Sequence, residues 1–135
     1  MSIGLLILVI VAAVVILVLF NLFNKNSPNC VDKEHFKNEW QDVIIMSKDE
    51  KTVAMSVVQA DKLLDEALKC LGYSGSTMAE RLVAAKKKLT DRDGVWQAHK
   101  MRNNIVHESK YKPTKKVVVP TLKAYSRALK DLGAI

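Results

Sequence analysis

The segment Arg102-Asn103-Asn104-Ile105-Val106-His107 holds the residues whose types and spacing best suit chemistry. An arginine is permanently charged, and its planar fork matches a phosphate. A histidine takes or gives a proton near neutral pH. An RNA 2′-hydroxyl attacking its own 3′ phosphate needs both groups. One takes the hydroxyl proton, and the other stabilises charge on the phosphorane. Arg102 and His107 are the candidates, and the reaction asks for no metal. Five positions on an α-helix turn through about 500°, which leaves the two roughly 140° apart. They converge only if His107 lies at a frayed helix end or if a second copy of the chain completes the site.

A structural reading uses the same residues. Arg102 could pair with Asp61 or Asp65 and tie two helices together, with Asn103 bridging the network. His99, Arg102 and Asn103 fall on one helical face at i, i+3 and i+4. His107 would then interact with the C-terminal end of its helix, where a cation is favourable. Asp61, Asp65 and Glu66 look like acid/base candidates, but without a partner motif they read as salt-bridge or network residues.

Other constellations carry less. His35, His99 and His107 lack metal-ligand spacing, so no metal or cofactor is expected. His35 and Glu39 stand at i, i+4 as an exposed pair. Trp40 and Trp96 read as core or interface anchors. Tyr73-Ser74-Gly75-Ser76 lacks the lysine and glycine spacing of a phosphate loop.

The elements that must position these groups divide into two unlike parts. The chain has 135 residues, 49% apolar, with five Gly, three Pro and two Cys. One domain fits that length, and the composition excludes collagen-like, low-complexity and disulfide-rich classes. Residues 3–20 carry no charge, and every charged side chain lies from Lys25 onward. Ile3 to Phe23 reads IGLLILVIVAAVVILVLFNLF, about 31 Å as a helix and close to the hydrocarbon thickness of a bilayer. No basic residue precedes the run, and no small-residue cleavage site follows it, so a retained anchor is expected over residues 1–24. A polar linker over residues 25–30 follows.

Lys25, Lys33 and Lys37 flank the apolar run on its C-terminal side. Basic flanks stay in the cytoplasm, so a single-pass inner or plasma membrane protein is expected, N-terminus outside and C-terminal domain cytoplasmic. On that reading Cys30 and Cys70 are free thiols in a reducing compartment. The reversed topology would let them pair.

Residues 31–135 read as a compact bundle of about five helices, which makes the fold class all-α behind a single transmembrane helix. Phe36, Trp40, Val43 and Ile44 share one face of the first bundle helix, which Ser47–Lys51 breaks. Val53, Val57, Ala60, Leu64, Leu68 and Leu71 line the second, and Cys70 falls within its apolar run. Gly72 suits the position after its end. Thr77-x-x-Glu80 is a capping box for a third helix, with Met78, Leu82, Ala85 and Leu89 as its stripe. Asp91–Gly94 is expected to end it. A fourth helix begins near Val95. A fifth runs towards Leu132, starting at Thr114 or, because of Pro120, near Val119.

Charge divides the domain. Residues 25–80 sum to −3 and residues 81–135 to +10. The basic half, with Lys100, Lys110 and Lys112 near the motif, fits RNA phosphates or an anionic leaflet, or else a solvated surface attracted to the acidic half. No sequence-specific DNA-binding signature is visible.

An Arg, a polar residue, three further residues and a His on a helix of a small α-bundle resembles the HEPN superfamily (higher eukaryotes and prokaryotes nucleotide-binding). Its motif is Arg, four to six residues, His. The resemblance covers residues 31–132 in architecture and 102–107 in motif. It implies a metal-independent ribonuclease with its site at a homodimer interface, Arg102 and His107 catalytic and Asn103 supporting. Many members are inactive binding modules, so fold does not settle activity. The segments ADKLLDEALK, GYSG, WQAHKMRNNIVHE and ALKDLGAI are also similar to those of single-anchor proteins of small-genome bacteria, a likeness that implies no function. Two functions are therefore expected: a membrane-anchored ribonuclease or RNA-binding domain, or a non-catalytic dimerisation or protein-interaction module at the membrane.

Overall fold

The computed structural model describes residues 3–23 and 30–135, with side chains given for 3–19 and 30–135. The order of elements is α1 (Ile3–Phe23), α2 (Lys33–Lys48), α3 (Val53–Cys70), α4 (Met78–Ala84), α5 (Arg92–His107) and α6 (Lys115–Asp131). No strand occurs among the described residues.

α1 forms over the apolar run, and its described side chains are all exposed. None of them joins the hydrophobic core. The expected single transmembrane helix is corrected here: among the described residues, no helix is long and apolar enough to cross a membrane. The expected linker over residues 25–30 lies outside the described residues except for Cys30.

α2 and α3 form the hairpin on which the bundle is built. Asp32 caps α2 by accepting from the backbone N–H groups of Glu34 and His35. A short turn after Lys48 leads into α3, and the Thr52 hydroxyl donates to the Met46 carbonyl across it. α3 is the central helix, packing against α2, α4, α5 and α6. Its apolar face, Val57, Ala60, Leu64, Ala67 and Leu68, is inaccessible to solvent. Gly72 follows the end of α3 with φ 79°, a left-handed conformation that a glycine adopts without Cβ strain. Leu71, expected on the inner face, is exposed because α3 ends before it.

Two differences from expectation concern helix ends. α4 stops at Ala84, although Met78, Leu82, Ala85 and Leu89 are all buried as their spacing foretold. Turn structure after Ala84 carries Leu89 inward. Asp91–Gly94 does not end a helix but starts one. The Asp91 carboxylate accepts from the Gly94 backbone N–H at 2.9 Å, capping α5. α6 starts at Lys115 directly after Thr114, the first of the two starts expected, and runs through Pro120. The proline has no N–H to offer the Lys116 carbonyl, but Lys116 and Pro120 are exposed, so water can supply the missing donor.

The remaining correction is covalent. Cys30 and Cys70 are joined in a disulfide with their Cα atoms 5.5 Å apart, so neither is a free thiol. The bond fastens the chain entering α2 to the last residue of α3. Beside it His35 pairs with Glu66 at 3.0 Å, not with Glu39 on its own helix. The open end of the α2–α3 hairpin is thus held by one covalent link and one exposed polar pair.

Candidate functional site

The polar centre of the bundle is Asp61, buried on α3 where α5 and α6 meet it. One carboxylate oxygen, Oδ1, receives the Tyr125 hydroxyl at 2.9 Å and faces His99 Nδ1 at 2.8 Å. The other, Oδ2, lies 3.5 Å from Arg102 Nε, an ion-pair distance rather than a hydrogen bond. That Arg102 Nε is buried without a hydrogen-bond partner. Arg102 also donates from its Nη1 to Asn103 Oδ1 at 2.9 Å, and Asn103 Nδ2 lies 3.4 Å from His99 Nε2. A neutral His99 with its proton on Nδ1 satisfies both of its neighbours. Burial, followed by the Asp61 charge, pushes the Tyr125 hydroxyl far above its ordinary value. Tyr125 therefore stays a donor to Asp61 at any working pH.

Helical spacing accounts for this meeting. His99, Arg102 and Asn103 present one face of α5, and Asp61 sits among the apolar residues of α3. A buried carboxylate must find donors, and that face of α5 together with Tyr125 supplies them. Tyr125 was legible as a core residue of the last helix. Its hydroxyl role was not, because an apolar stripe says nothing about where a polar tip points.

His107 is the last residue of α5 and is exposed. α5 is helical up to and including it, so the angular separation of roughly 140° from Arg102 is kept within one chain. The structure brings Arg102 and Asn103 together with His99 and Asp61, but not with His107.

Asp65, the other expected partner of Arg102, is engaged elsewhere. Its two oxygens accept from Arg81 Nε at 2.6 Å and Arg81 Nη2 at 3.2 Å, a forked contact. Lys69 adds an i, i+4 pair at 2.7 Å. Burial alone would raise the Asp65 carboxyl, but hydrogen bonds from Arg81 and Lys69 outweigh it and hold the group below its ordinary range. Arg81 is itself buried and also donates to the Gly75 carbonyl. The capping-box signal next to Arg81 drew attention to Glu80 and away from this arginine. Glu80 does behave as a cap: backbone and hydroxyl donors of Ser76 lower its pKa.

Lys100, Lys110 and Lys112 are exposed. Lys100 lines an open groove of about 650 Å³ between α5 and the middle of α6, together with Gln97, Asn103, Asn104 and Tyr111. Lys110 and Lys112 flank Tyr111 in the connection between the two helices. Among the described residues, no group of His, Cys, Asp and Glu is placed to hold a metal ion.

The site thus consists of a closed, acid-centred network beside an open groove lined by Gln97, Asn103, Asn104 and Lys100. No family model, no curated protein sequence and no solved structure matches the chain.

Proposed function

We propose that the bundle is a non-catalytic interaction module, associated with a lipid surface through α1 and docking an anionic partner on its α5–α6 face. One observation carries the non-catalytic reading. Arg102 faces the buried Asp61 carboxylate, and His107 stands at the far end of α5, out of register with it. A phosphate at Arg102 would compete with a carboxylate already in place, His107 would not stand beside it, and the nearby His99 is buried and engaged with Asp61. Lys100 in the groove, with exposed Lys110 and Lys112 on either side of its lining residue Tyr111, supports an anionic partner. α1 supports lipid association, because a helix apolar on every side keeps company with apolar surroundings.

The HEPN-like ribonuclease is the competing reading, and one experiment separates the two. Full-length protein is incubated with single-stranded RNA in EDTA. No cleavage is expected, and Arg102→Ala should lower the melting temperature by leaving Asp61 with one partner fewer. Cleavage that disappears in His107→Ala with an unchanged melt would restore the ribonuclease. Binding to poly-glutamate and to RNA is compared at 150 mM salt. Reversing Lys100, Lys110 and Lys112 to Glu should abolish whichever binding is seen. Flotation with anionic and neutral vesicles tests α1.

A further inference from the structure

We infer that Cys30 and Cys70 are the substrate of a dithiol-oxidising reaction and that the bundle works in an oxidising compartment. The inference does not depend on the reading of Arg102. The two Cα atoms lie 5.5 Å apart, within the range that a disulfide requires. They are the only cysteines in the chain, so this pair has no other thiol of its own chain to exchange with. Such bonds persist outside the reducing cytosol and are rare within it.

Position shows what the bond does. The link closes a span of 40 residues, from the chain entering α2 to the end of α3. At the other end of this hairpin the Lys48–Val53 turn already holds the helices together. At the open end the polar cross-link among the described residues is the His35–Glu66 pair, whose side chains are 42% and 50% exposed. An exposed pair of that kind contributes little. The disulfide removes loop freedom from the unfolded chain and adds a covalent link to the packing of Val31 and Phe36 at this end.

Accessibility sets the order of steps. Cys30 is exposed and Cys70 partly buried. The Cys30 thiolate attacks a disulfide-bearing oxidant, forming a mixed disulfide and releasing one oxidant thiolate. The Cys70 thiolate then attacks the Cys30 sulfur and expels the second oxidant thiolate. The two chain thiols lose two protons and two electrons, one S–S bond forms, and the oxidant is reduced to a dithiol. This inverts the cytoplasmic placement expected from Lys25, Lys33 and Lys37. The charge rule orients spanning helices, whereas the disulfide reports on the domain itself.

The test uses the full chain in growing cells. Cells are acid-quenched and alkylated with a maleimide of high mass, with and without prior reduction. No added mass is expected before reduction and two adducts after it, and a phosphatase fused after Ile135 should be active. Two adducts without reduction, or an inactive phosphatase on a stably produced fusion, would overturn the inference. In detergent, reductant should lower the melting temperature by about 10 °C or more. The Cys30→Ser/Cys70→Ser double variant should melt at the reduced protein's temperature and ignore reductant. A melt that reductant leaves unmoved would overturn the role of the bond as a clasp.

Discussion

Asp61 and Asp65 lie one helical turn apart on α3 and live in different surroundings. Asp61 is 3% exposed and gathers Tyr125, His99 and Arg102 from two other helices. Asp65 keeps 17% of its side-chain surface and is gripped by Arg81 and Lys69. Four residues turn a helix through about 400°, so the two carboxylates point some 40° apart. That small angle turns one towards the seam with α5 and α6 and the other towards α4. Identical chemistry thus does two jobs. Asp61 gives the interior a fixed arrangement of polar partners, and Asp65 pins the short α4, which has too few residues to be stable alone.

The largest effect should come from Asp61→Ala. It leaves the Tyr125 hydroxyl and the Arg102 guanidinium facing an empty space, at a cost of about 3–5 kcal/mol. Urea unfolding measures it, and a cost no greater than that of Asp65→Ala would erase the contrast drawn here.

Asp65→Asn should cost less, about 1–3 kcal/mol, because Arg81 keeps the Gly75 carbonyl and the amide oxygen of the new side chain can still accept from it. It should also change the response to acid. The folded pKa of Asp65 is lowered, so its contribution is complete above the unfolded value and disappears as pH falls through the folded one. Melting temperatures followed downward from about pH 5 should fall less steeply in Asp65→Asn than in the parent. Parallel acid profiles would show that the Arg81 contact adds nothing in solution.

Tyr125→Phe removes one donor and keeps the ring, so a loss of about 1 kcal/mol is expected. It should fall well short of Asp61→Ala, since His99 still donates to the carboxylate. Lys69→Ala should be the smallest change, under about 0.5 kcal/mol, because its ammonium end is in solvent.

These contrasts also mark what the sequence could disclose. The spacing of Val57, Leu64 and Leu68 told which face of α3 is inward, since apolar periodicity reports a single helix against everything else. Which carboxylate meets which cation is a property of pairs of helices. Asp61 and Tyr125 are 64 positions apart, and no local pattern records their contact. Helical spacing allows Arg102 to meet Asp61 or Asp65, and the fold selects Asp61, whereas no local pattern marks Arg81 as the partner of Asp65. Asp91–Gly94 misled for another reason. Aspartate and glycine occur at both helix starts and helix ends, so the same four letters support either reading. The cysteines were assigned from an inferred compartment, and a distance of 5.5 Å across the fold was invisible in their spacing.

The cap at the start of α5 reaches further than one hydrogen bond. The Asp91 carboxylate sits where a Cβ on residue 94 would have to be, in overlap with its oxygens. Gly94 is therefore a vacancy in shape, reserved for its neighbour's side chain. Gly94→Ala would gain about 1 kcal/mol of helix propensity and lose about as much by evicting the cap. Stability would hardly move, yet the boundary between turn and helix would lose its marker. Everything downstream on α5 is phased from that boundary, one residue per 100° of rotation. The direction in which His99 and Arg102 point is thus decided in part at a glycine about one and a half turns before the first and two before the second.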